Sequence, residues 1–369
     1  MKHTKTRNSG IELLRIIIML QIVFLHLYKY GEYSDIAENL GSIDFYMSRL
    51  IWCFCKCPIN VFIIITGYFM VNKPIDLKTN YVRIPRLYIQ IAFYSILIPL
   101  AFLFIKPQLP YNTETLLRSL FPIISRNWYF VTLYIIIMLL SPFINTLLNN
   151  INKSQYMVLL ILGFILFSIW PNLTLLEPLN RIISLNKVII TEKGLSLYSF
   201  IFMYIIGAYI KIFTEPSENP KIKYLMSYIL FSLTDFILYF LSDKTTGIYK
   251  PVFGQNDNPF IIMAGISLFM FFRGLNFKSS IVNAISTTTF AVYLIHEHPY
   301  FRKWLWTYLG VDDVNFYTDY YLIRLIIVVF LVFIICAVVD GLRQCLFLCC
   351  SKAWRFLVKF VSKQQSFEK

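Results

Sequence analysis

The sequence predicts an all-α, polytopic membrane protein with about ten transmembrane helices packed around an intramembrane cavity. Three observations predict it. The first is composition: of 369 residues, 57% are hydrophobic and 18% aromatic, while 15% are charged, against about a quarter charged in a soluble domain. The second is a succession of apolar runs, at 11–30, 49–71, 87–105, 127–147, 154–171, 195–213, 222–241, 258–272, 281–296 and 321–348. A run of about 20 apolar residues is what a helix needs to cross the hydrocarbon. These runs fill the length and leave no room for a separate soluble domain. The third is the uneven placement of Lys and Arg between alternate loops, which orients such helices.

With the N-terminus in the cytoplasm, the inner segments hold Lys2, Lys5, Arg7, Lys73, Lys78, Arg83, Arg86, Lys153, Lys211, Lys221, Lys223, Arg273 and Lys278, then Arg343 and the basic tail to Lys369. That is about nineteen basic residues facing four acidic ones, Asp76, Glu215, Glu218 and Glu368. The outer loops hold about twelve basic and about thirteen acidic residues, including Glu32, Asp35, Glu38 and Asp44 and the later group Asp312, Asp313 and Asp319. An even number of spans puts both termini on the cytoplasmic side. The net charge of +14 is therefore read as membrane topology and not as nucleic-acid binding. The first apolar run is too long for a cleavable signal peptide and lacks a small-residue cleavage site.

Span one carries Glu12 and Arg15 near its start and His26 deep inside. Ionisable groups in a span are costly and mark a functional site by default. Arg15 and His26 are eleven residues apart, so both lie on one helical face with Met19 and Ile22 between them. At about 1.5 Å rise per residue they are roughly 16 Å apart along the axis.

Span two contains Cys53, Cys55 and Cys57, which alternate and cannot all face one way on a helix, so no metal site is expected there. Lys56 either lines a wet cavity or snorkels to the outer interface. Thr66-Gly67 permits close approach of another helix or a ligand. The loop 72–86 ends in Arg83-Ile84-Pro85-Arg86. Pro85 suits the first turn of a helix, and two guanidinium forks beside free helix amides make an anion site suited to phosphate. Ordinary positive-inside anchoring explains the same residues.

Span four opens with Trp128-Tyr129, either an interfacial belt or a sugar-stacking surface, and Pro142 is expected to kink its far end. The outer loop 171–194 can contribute to an acceptor vestibule; its Asn172-Leu173-Thr174 fits a glycosylation sequon that matters in a secretory pathway alone. Asp235 in span seven is a lone buried acid. In span nine His296 and His298 are two apart and diverge on a helix, so a zinc pair is not expected. His296 faces either the bundle or the interface. Beyond Asp340 the chain is basic and amphipathic, with Cys345, Cys349 and Cys350, and reads as a membrane-surface helix. There is no Gly-rich phosphate loop, no G-x-S-x-G elbow and no internal repeat of a transporter kind.

Taken together, the chain resembles the integral-membrane acyltransferase-3 family, bacterial O-acyltransferases that decorate cell-surface glycans. The matching pieces are Gly10-Ile11-Glu12-Leu13-Leu14-Arg15 with His26 eleven residues on, Phe62 through Gly67-Tyr68-Phe69, Arg83-Ile84-Pro85-Arg86, Trp128-Tyr129, and Tyr293-Leu294-Ile295-His296. It is most similar to the compact, membrane-only branch, with residues 1–348 as the acyltransferase domain and 349–369 as a basic cytoplasmic tail. The resemblance implies His26 as the catalytic residue, with Arg15, Arg83 and Arg86 handling the acyl donor, usually acetyl-CoA. It points to Glu12, Thr66, Trp128, Tyr129 and His296 as substrate-binding positions. Some members carry Asp-Gly-Leu-Arg where this chain has Glu-Leu-Leu-Arg, and Thr66 stands where Ser is common, which keeps the hydroxyl. His26 acts either as general base or as first acceptor of the acyl group. The expected partners are a glycan or lipid-linked sugar acceptor, acyl-CoA and the lipid bilayer, with no permanently bound cofactor, no metal and no nucleic acid. The expected location is the bacterial cell membrane. An intramembrane His with an Arg also fits a proton-coupled transporter, a flippase or a polymerase of a polysaccharide pathway, or a scaffold subunit of an export complex.

Overall fold

Asn8 starts the first helix by accepting the backbone N–H groups of Gly10 and Ile11, at 2.9 and 3.3 Å, two of the orphan donors every helix start presents. From there α1 (Ser9–Tyr30) runs for 22 residues, about half of them buried. The computed structural model describes residues 8–31, 42–72, 83–105, 113–183, 191–215, 222–313, 316 and 320–365. Several expected features lie outside the described residues. They are the basic N-terminus Lys2, Lys5 and Arg7, the acidic residues Glu32, Asp35 and Glu38, the Asp44 side chain, Lys73 and Lys78, Lys221, Asp319, part of the 171–194 loop, and the tail side chains from Cys350 onward.

The described chain is helical and contains no strand. After α1 come α2 (Ser42–Phe54), α3 (Pro58–Met70), α4 (Arg83–Ile105), α5 (Thr113–Leu120) and α6 (Tyr129–Asn149, with Pro142 inside it). Next is α7 (Lys153–Phe164), which passes through a π-turn (Ile165–Ile169) into α8 (Trp170–Leu173). Then come α9 (Glu177–Ile183), α10 (Leu197–Phe213), α11 (Ile222–Lys244), α12 (Pro259–Arg273), α13 (Ser280–Ser286), α14 (Thr289–His296), α15 (Arg302–Tyr308) and α16 (Tyr321–Gln365). Among the described residues, seven helical stretches are long and apolar enough to cross a membrane: Ser9–Tyr30, Phe45–Met70, Arg83–Phe104, Tyr129–Asn149, Lys153–Leu173, Ile222–Lys244 and Tyr321–Cys349. Shorter apolar helices at Leu197–Phe213, Pro259–Arg273 and Ser280–His296 fall on the sixth, eighth and ninth expected spans.

Two expected spans are interrupted. Span two breaks at 55–57, because Pro58 has no N–H to continue a helix and instead opens α3. Span nine breaks at Thr287-Thr288, between α13 and α14. Such breaks survive at membrane depth where other groups take up the freed polar atoms; here Thr287 and Thr288 each donate their hydroxyl to a carbonyl three residues back. The tail differs from expectation as well: no separate surface helix forms, and α16 continues through Gln365, with no proline to end it.

The tightest pairing is α3 on α10. A Cβ at Gly67 would sit 2.1 Å from the Tyr204 carbonyl oxygen, and one at Gly207 would sit 2.1 Å from that of Ile64. The two glycines thus bring two backbones into direct contact, as the Thr66-Gly67 reading expected. Asp235 is not alone: it accepts hydrogen bonds from Tyr249 at 2.7 Å and Asn258 at 2.8 Å. Around α1 pack α3, α12, α13, α14 and α16. α1 is joined to α13 near its start, where Ser9 donates to Asn283 at 3.0 Å and Ser286 donates to Glu12 at 2.6 Å.

Candidate active site

The stripe Arg15, Met19, Ile22, Leu25 and His26 on α1 forms one wall of a cavity of about 250 Å³. Its 3–4-residue spacing is that of a single helical face. Ile59, Phe62, Ile65 and Thr66 of α3 form the second wall, and Leu87 and Gln90 of α4 a third. Tyr129, Phe130 and Tyr134 of α6, with Thr289, Phe290 and Tyr293 of α14, close it. The lining is mostly apolar with a few polar groups, the usual make-up of a small-molecule site.

His26 is held by a chain of hydrogen bonds. His296 Nδ1 lies 2.5 Å from the Val292 carbonyl oxygen. A carbonyl can only accept, so Nδ1 carries the hydrogen, and in the neutral ring His296 Nε2 is an acceptor. That nitrogen lies 2.8 Å from His26 Nδ1, which therefore donates. A neutral His26 is thus fixed in the tautomer whose Nε2 keeps its lone pair. Glu297 Oε2 lies 3.4 Å from the same Nδ1 and has no hydrogen-bond partner among the described residues. Its other oxygen accepts from Tyr30 at 2.7 Å and from Arg302 at 3.1 Å. A carboxylate so placed stabilises an imidazolium when the ring takes a proton. The Tyr293 hydroxyl, also in the cavity wall, is buried and has no partner among the described residues. Leaving such a group unmet costs about 1–3 kcal/mol, and a bound oxygen would satisfy it.

The structure sorts the residues singled out from the sequence. Arg15, His26, Thr66 and Tyr129 all line the cavity; Thr66 donates its own hydroxyl to Phe62 O at 2.8 Å. Glu12 does not line it. It stands behind Arg15, 4.0 Å from that guanidinium. His296 is fully buried, does not line the cavity and meets it only through its contact with the His26 ring. Trp128 differs most from expectation: it is 1% exposed and packs edge-on against His298, with ring centres 5.3 Å apart. It forms neither an interfacial belt nor a cavity face, because the turn before α6 directs it into the core. Arg83 and Arg86 are exposed on the first turn of α4 and do not line the cavity, but Leu87 and Gln90, which follow on the same helix, do.

Glu297 and Tyr30 escaped the sequence reading, and Tyr293 entered it within a matching motif with no role attached. The signal for Glu297 was its position directly after His296 at the end of an apolar run; Tyr293 sits one helical turn before that histidine.

A family model described as an acyltransferase domain, that of the acyltransferase-3 family, matches residues 8–340. Searches of curated proteins and of solved structures each returned no match.

Proposed function

We propose, from the premise that the chain belongs to the acyltransferase-3 family, that it moves an acetyl or similar acyl group from cytoplasmic acyl-CoA to a hydroxyl of a cell-surface or lipid-linked glycan. That it is a membrane acyltransferase follows from the family and from its apolar helices. The finer reading rests on one observation: His26 lines the cavity with Nδ1 engaged by His296, which leaves Nε2 as the base. The family match runs through all of these residues and gives no support to a transporter, polymerase or scaffold role.

In this reading Arg83 and Arg86 hold the CoA phosphates at the cytoplasmic mouth, and the pantetheine arm follows the α1 stripe past Arg15. His26 Nε2 takes the proton of the acceptor hydroxyl as that oxygen attacks the thioester carbonyl carbon. The carbonyl electron pair moves onto oxygen, where the Tyr293 hydroxyl is available as a donor. Collapse of the tetrahedral adduct breaks the C–S bond, and the CoA thiolate takes the proton back from His26. Glu297 balances the imidazolium charge between these two transfers. The membrane is the bacterial cell membrane, with both termini cytoplasmic.

The test is acyl transfer from labelled acetyl-CoA by the protein in lipid nanodiscs. The wild type consumes the thioester and labels a glycan acceptor, while H26A, inserted at normal yield, loses about 10²–10⁴-fold in kcat. Wild-type turnover by H26A would overturn the reading.

A further inference from the structure

Two cavity-lining stripes end in a lysine at the same end of the cavity. On α1 the stripe Ile22, Leu25, His26 is followed one turn later by Lys29; before α3 the stripe Thr66, Phe62, Ile59 is preceded by Lys56. Both charges act on His26, and they act on each other. Neither has a carboxylate within ion-pair distance among the described residues. Lys56 Nζ lies on the Trp52 ring, 4.8 Å from its centre, and Lys29 Nζ lies 4.8 Å from the centre of the Tyr30 ring and 3.2 Å from its hydroxyl. Asp235 and Asp257, the acids that act on Lys56, are already engaged, by Tyr249 and Asn258 and by Thr191 respectively. Arg302, 5.2 Å from the Tyr30 ring centre, is a third cation at this end and is paired with Glu297.

Membrane topology does not account for these lysines. Positive charge is favoured on the cytoplasmic side, and the loop charges expect this end of α1 to face outward. The half-buried position of Lys56 costs desolvation that a partner anion would offset. The proposed donor is a polyanion that enters at the other end, by Arg15. A second positive site calls for a second anion.

We infer that the acceptor is an anionic saccharide, whose negative group is held by Lys29 and Lys56 while its hydroxyl meets His26. This rests on the acyl-CoA reading above. The shared chemistry is an oxyanion close to the acylated sugar; its source is either a uronate of the glycan or the diphosphate of a lipid-linked sugar.

The experiment measures acyl transfer from labelled acetyl-CoA by the nanodisc-embedded protein to three acceptors: a uronate-containing oligosaccharide, the same oligosaccharide with its carboxylates reduced to hydroxymethyl groups, and a polyprenyl diphosphate-linked sugar. At least one charged acceptor is expected to exceed the neutral one in kcat/KM by about tenfold, the size of one charge-assisted hydrogen bond, and which one identifies the source. Added salt and the double variant K29Q/K56Q both lower that ratio towards one, while K29R/K56R restores it and controls for folding. A neutral acceptor used as well as both charged ones overturns the inference and leaves the acyltransferase reading standing. So does a charge preference that survives K29Q/K56Q, the lysines then serving the chain's own carboxylates. If acetyl-CoA is consumed in none of the assays, with or without an acceptor, both readings fall.

Discussion

His26 and His296 meet through their ring nitrogens, Nδ1 to Nε2 at 2.8 Å, although 270 residues separate them in the chain. The contact fixes which nitrogen of His26 carries hydrogen, and so which one can act as a base.

Replacing His296 with alanine should lower kcat by about tenfold or more, the kinetic equivalent of roughly 1.4 kcal/mol, with little change in KM for the donor. The glutamine variant, whose side-chain oxygen can accept from His26 Nδ1, should recover part of the loss. Equal damage in both variants, or a rise in KM alone, would show that His296 does not act by orienting His26.

Glu297→Gln removes the negative charge 3.4 Å from His26 Nδ1 but keeps hydrogen-bonding atoms for Tyr30 and Arg302. The expected result is a lower kcat with a thermal unfolding midpoint near wild type. A large fall in that midpoint with unaltered kcat would make the residue structural.

Tyr293→Phe deletes one hydroxyl and keeps the ring that packs against His26 and Phe130, at centre distances of 6.1 and 5.7 Å. A donor to a developing oxyanion is typically worth about 10²–10³ in kcat, so a loss of that order is expected. The protein should be no less stable, because a buried unpaired hydroxyl has been removed. Undiminished turnover would remove Tyr293 from the reaction.

Arg83→Ala combined with Arg86→Ala should weaken binding of acetyl-CoA and of free CoA, with an effect that shrinks as salt is raised. Titration calorimetry or a filter-binding assay gives the answer directly; unchanged affinity would return both residues to topological anchoring.

Gly67→Ala and Gly207→Ala each place a methyl group 2.1 Å from a carbonyl oxygen of the facing helix. Neither backbone can rotate away as a side chain would, so overpacking should cost at least about 1–3 kcal/mol. A thermal scan in detergent is expected to show a clear drop for each; wild-type midpoints would mean that α3 and α10 are free to separate.

The helices and the α1 stripe were legible in the sequence because both are local: apolar run length and a 3–4-residue period need no knowledge of the fold. Arg15 and His26 face one cavity for that reason. The role of His296 depends on α14 lying beside α1, which no short-range pattern encodes, and the sequence left its direction open. Trp128 was misread for a related reason: an aromatic residue at a span edge obeys the interface rule unless the preceding turn carries it inward. Lys56 was left between two readings; it stands three residues before Ile59 but is not itself among the residues that line the cavity.

The joins between α1 and its neighbours at either end of that helix have a mechanical consequence. Ser9 and Glu12 are tied to Asn283 and Ser286, while His26 and Tyr30 are tied to His296 and Glu297. This side of the chamber is therefore pinned at top and bottom, like a hull plank riveted at both ends. If the proposed donor and acceptor enter through a wall that moves, α4 and α6 are freer to do so than α1, so a crosslink between those two should lower turnover more than one bridging α1 and α13.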